Sequence, residues 1–163
     1  MAARILVAGI GNIFFGDDGF GPEVVAQLRI DDPQVRVVDY GIRGMHLAYD
    51  LLDGYQGLVL VDAIPGQGCP GAIRVFEVDG ESPDAAIGLD AHEMDPAAMF
   101  ATLRTLGGHP PRTIVVGCQA DVVTDGIGLS DAVRAAVPGA VRAVRDTVAM
   151  LSARPGALTG SAD

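Results

Sequence analysis

Short apolar runs alternate with longer amphipathic stretches along the whole chain. A wholly apolar run that ends at glycine or proline is typical of a strand buried on both faces of a parallel sheet. The run at 72–78 (AIRVFEV) instead alternates between apolar and polar residues, which favours a half-exposed or antiparallel edge strand. In total the pattern predicts strands at 5–8, 35–40, 58–64, 72–78 and 113–118.

The stretches between these runs show helical spacing. Pro22 suits the first turn of a helix that starts near Gly21, because a first-turn nitrogen has no helical partner. Further helices are predicted at 45–52, at 95–107, and from a Ser130 N-cap to about residue 151 with a break near Pro138. This alternation predicts an α/β fold: a three-layer α/β/α sandwich with a mainly parallel five-stranded sheet.

The chain of 163 residues fits one domain, predicted at 1–152 and followed by a flexible C-terminal tail at 153–163. Eleven basic residues against 21 acidic ones give a net charge of −10, which disfavours nucleic acid and anionic membranes as partners. No apolar run approaches the roughly 20 residues of a membrane span, and no secretory leader is recognisable. Two cysteines are too few for a disulfide framework. A cytoplasmic protein is therefore expected.

Candidate chemistry begins in the loop after the first strand. Its glycines resemble a dinucleotide fingerprint, but Phe14 stands where the third glycine is required, and two carboxylates would repel a pyrophosphate. Capping of the following helix is one interpretation of Asp17 and Asp18. Because one cap does not need two acids, at least one of them is a candidate for chemistry.

Two further candidates lie at the side of the sheet where ligands bind in α/β folds, beyond the carboxyl ends of the strands. Asp62 ends the apolar run LVLVD, where an unpaired charge would be costly to bury. A hydrogen bond to a neighbouring loop is the alternative explanation for it. His92 lies in a polar loop before the third helix and could equally be a surface histidine, as His46 and His109 are expected to be. Together, two carboxylates and one imidazole would suit a divalent ion such as nickel or zinc.

The candidate residues lie in motifs that resemble those of the hydrogenase maturation endopeptidases, which process the large subunit of nickel–iron hydrogenases. The motifs occur in the family's order and spacing and cover most of the chain up to about residue 151. The matching stretches are GIGNIFFGDDGFG (9–21), DYGIRGMHL (39–47), LVLVDAIPG (58–66), AHEMDP (91–96) and GIGLS (126–130).

The resemblance implies a metal-binding trio of Asp18, Asp62 and His92, with Asp18 and Asp62 as the catalytic acids. The family often has Glu at the first position, so Asp18 is one methylene shorter. Gly41 and Gly44, in the turn after the second strand, and Asp17 are expected to shape the substrate groove. A simple tight turn would explain the two glycines equally well.

The activity that the resemblance implies is removal of a C-terminal extension from a nickel-loaded [NiFe]-hydrogenase large-subunit precursor, within a phosphorylase/hydrolase-like fold. Nickel would be supplied by the precursor, other divalent ions could substitute, and the enzyme is expected to be a monomer. Either a carboxylate activates water while the metal polarises the scissile carbonyl, or the acids work as an aspartic-type pair. A non-catalytic, nickel-dependent assembly chaperone is the main alternative, and cleavage of the precursor distinguishes the two.

Overall fold

The computed structural model describes residues 4–78 and 96–153. Its five strands form one sheet in the order β2-β1-β3-β5-β4. β4 pairs antiparallel with β5 at one edge, and the other strand pairs are parallel. The predicted five-stranded, mainly parallel sheet with an antiparallel edge strand is therefore confirmed. The strands are β1 (Ile5–Ile10), β2 (Val35–Gly41), β3 (Gly57–Ile64), β4 (Ile73–Val78) and β5 (Arg112–Gln119).

Helices cover both faces of the sheet, which gives the three predicted layers. One face is covered by α1 (Phe20–Gln27) and α4 (Asp131–Ser152), and the other by α2 (Gly44–Leu51) and α3 (Pro96–Thr105). Successive strand residues point to opposite faces, so each central strand contributes to two separate cores. In β1, Ile5 and Val7 pack with α1 and α4, while Leu6 and Ala8 pack with α2 and α3.

Gly21 allows α1 to begin directly against the centre of the sheet. A Cβ at this position would lie 2.2 Å from the carbonyl oxygen of Val61 and 2.3 Å from that of Ile10. Real Cβ atoms do not approach other atoms so closely, so only glycine fits without a shift of the backbone. The short segment that precedes α1 is therefore held tightly against the carboxyl ends of β1 and β3.

Helix α4 corrects the prediction of a break near Pro138. The helix runs without interruption from Asp131 to Ser152 with Pro138 inside it. Proline removes only one helical hydrogen bond, and apolar residues before and after it remain packed against the sheet. These buried residues are Val133, Val137, Ala140, Val144 and Val148.

Ser130 takes the predicted N-cap position of α4 without capping it by its side chain. Its hydroxyl donates a hydrogen bond to Asp17 instead, at 2.8 Å. Within residues 4–78 and 96–153, no helix is long and apolar enough to cross a membrane. The predicted tail, apart from its first residue, lies outside the described residues, so the domain boundary at 152 stays a prediction.

Candidate active site

Asp18 lies in a short 3-10 helix, Gly16–Gly19, between β1 and α1. Its side chain is almost completely buried, with the residue 5% exposed. Oδ2 accepts a hydrogen bond from the Asn12 backbone N–H at 2.8 Å. Gly19, not either acid, is the N-cap of α1, and no side chain caps that helix. Helix capping therefore does not account for Asp18.

Asp62 lies near the carboxyl end of β3 and is 6% exposed. Alternation along the strand places it on the same face as Leu60 and Ile64, the face that α2 and α3 cover. The 3-10 helix that carries Asp18 packs against β3. Both candidate catalytic acids thus belong to the carboxyl edge of the sheet, as the sequence predicted.

A cavity of about 380 Å³ opens beside Asp18. Asp18 contributes to its lining, and so does the segment 63–66 that directly follows Asp62. The remaining walls come from Ala120, Asp121 and Val123, beyond the end of β5. Concave sites of a few hundred Å³ at this edge are where α/β proteins bind ligands.

Asp17 is fully buried and bonded to a distant part of the chain. Its carboxylate accepts hydrogen bonds from the backbone N–H groups of Asp121 and Val122, both at 2.8 Å. Ser130 adds its backbone N–H at 2.7 Å and its hydroxyl at 2.8 Å. Asp17, which the sequence assigned to the substrate groove, therefore has no surface of its own through which to contact a substrate.

These bonds outweigh the effect of burial on Asp17. Burial alone would raise the pKa of this carboxyl group, but the hydrogen bonds donated by Val122, Ser130 and Asp121 lower it below its usual value of 3.8. The pKa of the neighbouring Cys118 thiol is shifted in the opposite direction. Its own burial, together with the negative charge of Asp17, raises its pKa to about 11. The site thus contains a fixed carboxylate and a protonated thiol, and Cys118 is no nucleophile at neutral pH.

Gly41 and Gly44 occupy the turn between β2 and α2. Gly41 has a φ of +57°, a conformation that favours glycine, and its carbonyl accepts a hydrogen bond from Gly11 N–H at 2.9 Å. It lines a second cavity of about 330 Å³ together with Phe14 and Arg43. Gly44 is the first residue of α2 and does not line that cavity. The turn explains Gly41 fully, so its role in a substrate groove stays a prediction.

Gln119 is a functional candidate that the sequence reasoning missed. It ends β5 and is buried, and its Oε1 accepts hydrogen bonds from the backbone N–H groups of Gln67 at 2.9 Å and Cys69 at 3.2 Å. Through these bonds it holds the segment that follows β3 and borders the cavity. The only signal in the sequence is an amide residue at the end of an apolar strand, which is a weak one.

The metal-binding prediction is only partly addressed by the described residues. His92 lies in 79–95, outside them, so its position relative to Asp18 and Asp62 is not part of the structure. Within the described ranges, no three His, Cys, Asp or Glu side chains come together to hold a metal ion. His46 and His109 are both exposed, as expected.

Known proteins resemble this chain over most of its length. The family model HycI, described as hydrogenase maturation protease, matches residues 22–147. A putative hydrogenase maturation protease of Methanocaldococcus jannaschii is 36% identical over 86% of this chain and 93% of its own length. The hydrogenase 2 maturation protease of Escherichia coli is 30% identical over 86% of this chain and 88% of its own. The solved structure of the hydrogenase maturating endopeptidase HybD from E. coli superimposes with a TM-score of 0.78 at 29% identity, covering 90% of this chain and 93% of that one.

Fold and site define an α/β protein with an acidic cleft at the carboxyl edge of its sheet. The comparisons make the assignment specific: the chain belongs to the hydrogenase maturation protease family and is an endopeptidase.

Proposed function

We propose that this endopeptidase removes the C-terminal extension of a nickel-loaded [NiFe]-hydrogenase large-subunit precursor, with Asp18 and Asp62 as its catalytic acids. Family membership supports the substrate class. The observation that carries the site is the burial of two acids, 5% and 6% exposed, at the carboxyl edge of the sheet, where Asp18 lines a cavity.

Burial of a carboxyl group is unfavourable unless its charge is compensated, and sites that accept this cost are often functional. Asp18 is close enough to the cavity to line it, and Asp62 immediately precedes the lining segment 63–66. An extended peptide in the cavity would therefore pass Asp18 and the segment that directly follows Asp62. A bound metal ion would be one means of compensating their charge.

The reaction requires that one water molecule add across a peptide bond. In the proposed step, one of the two carboxylates accepts a proton from water while the water oxygen attacks the scissile carbonyl carbon. The C–N bond of the resulting tetrahedral intermediate then breaks as the amide nitrogen receives the proton. General-base assistance of this kind contributes about 10²- to 10⁴-fold to a rate.

Nickel enters this proposal as part of the substrate. We propose that the carboxylates of Asp18 and Asp62 and the imidazole of His92 contact the nickel that the precursor already carries. Carboxylate and imidazole groups are suitable ligands for this borderline ion. Other divalent ions would substitute where their geometry allows.

We further propose a monomeric, cytoplasmic enzyme. Both cysteines are free, Cys69 exposed and Cys118 buried, which suits a reducing compartment. The net charge of −10 makes nucleic acids and anionic membranes unfavourable partners. Size-exclusion chromatography with light scattering tests the monomer directly, and a dimer mass would contradict it.

The test of the function is incubation with a nickel-loaded large-subunit precursor, followed by intact-mass analysis. Wild-type protein is expected to release a single C-terminal peptide, and Asp62→Asn is expected to release none on the same timescale. Asp53→Asn is the matched control, because Asp53 is exposed and precedes β3 at the opposite edge of the sheet. An intact precursor that still binds the wild-type protein would contradict the peptidase and favour a chaperone.

A further inference from the structure

The carboxylate of Asp17 connects two loops that are far apart in the sequence. Ser130, one of its partners, lies 113 residues away along the chain. All four hydrogen bonds reach the segment 121–130, which follows β5. Asp17 directly precedes Asp18 in the chain, so hydrogen bonds that fix the position of Asp17 also restrict the backbone position of Asp18.

Apart from these four bonds, the segment 121–130 is held by backbone hydrogen bonds to the first loop and by Leu129, which packs against the core under α1 and α4. Every residue from Asp121 to Gly128 is exposed, including Val122, Val123 and Ile127. The stretch 121–128 therefore gains little from burial of apolar surface. Backbone hydrogen bonds join it to the first loop: Gly16 N–H to Gly126 O at 2.9 Å, Asp17 N–H to Val122 O at 2.8 Å, and Gly126 N–H to Phe14 O at 2.8 Å.

The same segment forms one wall of the cavity that Asp18 lines. Asp121 and Val123 face that cavity, and Asp121 is also a residue whose backbone N–H binds Asp17. We propose that Asp17 is a positioning residue: its buried carboxylate holds the segment 121–130 in place as one wall of the substrate cleft, beside the catalytic Asp18. This inference rests on the proposed function, because the cleft is assigned to the substrate on that ground.

The chemistry of the contact requires a carboxylate. Three backbone N–H groups and one hydroxyl group all donate toward Asp17, and an ionised carboxylate offers only acceptors. An asparagine of the same shape would direct its own two N–H donors at these groups, so part of the network would be lost. Hydrogen bonds to charged groups are stronger than neutral ones, which makes the loss substantial.

Hydrogen exchange of the free protein tests the anchoring. In Asp17→Asn, the amides of Asp121, Val122 and Ser130 are expected to exchange at least tenfold faster, whereas amides in β1 and β3 keep their protection. Asp125→Asn is the matched control. It removes one charge from an exposed position of the same segment and none of the four bonds, so exchange should match that of the wild-type protein. Unchanged exchange in Asp17→Asn would overturn the proposal.

Cleavage kinetics test the role in the reaction. A loosened wall should raise KM about tenfold in Asp17→Asn while kcat stays within about threefold, because Asp18 and Asp62 are intact. Asp53→Asn, at an exposed position before β3 and outside the proposed wall, should retain the wild-type KM. A change confined to kcat, or faster exchange at 121–130 with no change in KM, would show that Asp17 does not position a substrate-binding wall.

Ser130→Ala keeps the proposal testable if Asp17→Asn does not fold. It removes one donor of the four, the hydroxyl, and should raise KM about threefold with a local increase in exchange. Wild-type kinetics and exchange in Ser130→Ala would then overturn the proposal. If the wild-type protein cleaved no precursor, the proposed function would fail, while exchange in the free protein would still decide whether Asp17 anchors the segment.

Discussion

Two loops leave the same edge of the sheet and are built in opposite ways. The first, 11–19, follows β1, and its acids Asp17 and Asp18 are buried. The second, 120–130, follows β5 and is exposed from Asp121 to Gly128. The first is fixed by close packing of backbone against the sheet. The second is held by backbone hydrogen bonds to the first loop and by polar contacts to the carboxylate of Asp17. The cleft thus combines a closely packed side, which carries Asp18, with a wall whose position depends on a few hydrogen bonds.

The difference has a physical cause. Gly11 and Gly21 bring the first loop so near to its neighbours that a Cβ at either position would overlap backbone atoms. Close packing of this kind stores much of the stability of a fold and tolerates little change. A loop without buried apolar surface opens at a low free energy, unless polar groups restrain it. The two loops should therefore respond differently to substitution.

The largest effect is expected on the closely packed side, where Asp18→Asn should abolish most activity. Removal of a general base or metal-contacting carboxylate lowers kcat/KM by about 10²- to 10⁴-fold, while the fold is retained. Single-turnover cleavage of the precursor gives the rate, and urea unfolding gives the stability. A rate within threefold of wild type would remove Asp18 from the catalytic pair and leave Asp62 as the remaining candidate.

Gly21→Ala should break the packing of the start of α1, which directly follows the first loop. The added methyl group would lie 2.2 Å from the Val61 carbonyl oxygen, so the start of α1 must move away from the sheet. A loss of about 3 kcal/mol in the free energy of unfolding is expected, at the upper end of overpacking effects. Gly54→Ala is the control, since Gly54 has a φ of +88° and nothing within 4 Å. It should cost only about 1–2 kcal/mol from backbone strain. Equal losses would contradict the packing argument.

The parts of the fold that close packing determines were also the parts that could be predicted from the sequence. The apolar runs of β1 and β3, the latter interrupted only by Asp62, signal strands buried on both faces, and burial of the two strands confirms this. The alternating run of β4 signalled its edge position equally well. The predicted break near Pro138 was wrong, because a proline does not interrupt a helix whose turns on both sides of it are packed against the sheet.

The polar contacts could not be predicted in the same way. Asp17 and Ser130 are separated by 113 residues, and no local pattern shows that an acid in one loop accepts bonds from another. The position of Asp62 at a strand end was enough to choose it as a candidate site residue. The hydrogen-bond partners of Gln119, in contrast, can be recognised only from the folded backbone. His92, in the segment outside the described residues, stays a prediction from the family motif.

The pH dependence of the free energy of unfolding should show whether the charge of Asp17 helps to hold the second loop. Because the folded-state pKa of Asp17 is lowered, its contribution is present above the unfolded value of about 3.8 and is lost as pH falls through the folded-state pKa. Asp17→Asn should therefore be less stable than wild type by about 2 kcal/mol at pH 6, and the difference should shrink below pH 4. Urea unfolding at both pH values measures it. A difference independent of pH would show that the charge of Asp17 does not matter.

The smallest effect is expected at the surface of the second loop. Val123 borders the cavity that Asp18 lines and is 47% exposed, so a bound substrate would cover its side chain. Val123→Ser should raise KM about threefold to tenfold with little change in kcat, since the contact is apolar and made on binding. Val75→Ser is the matched control, because Val75 is 51% exposed and lies in β4, away from that cavity. Steady-state kinetics on the precursor compare the two variants. Equal KM values in the two variants would mean that the second loop, although it lies beside the proposed catalytic residue Asp18, makes no contact with the substrate.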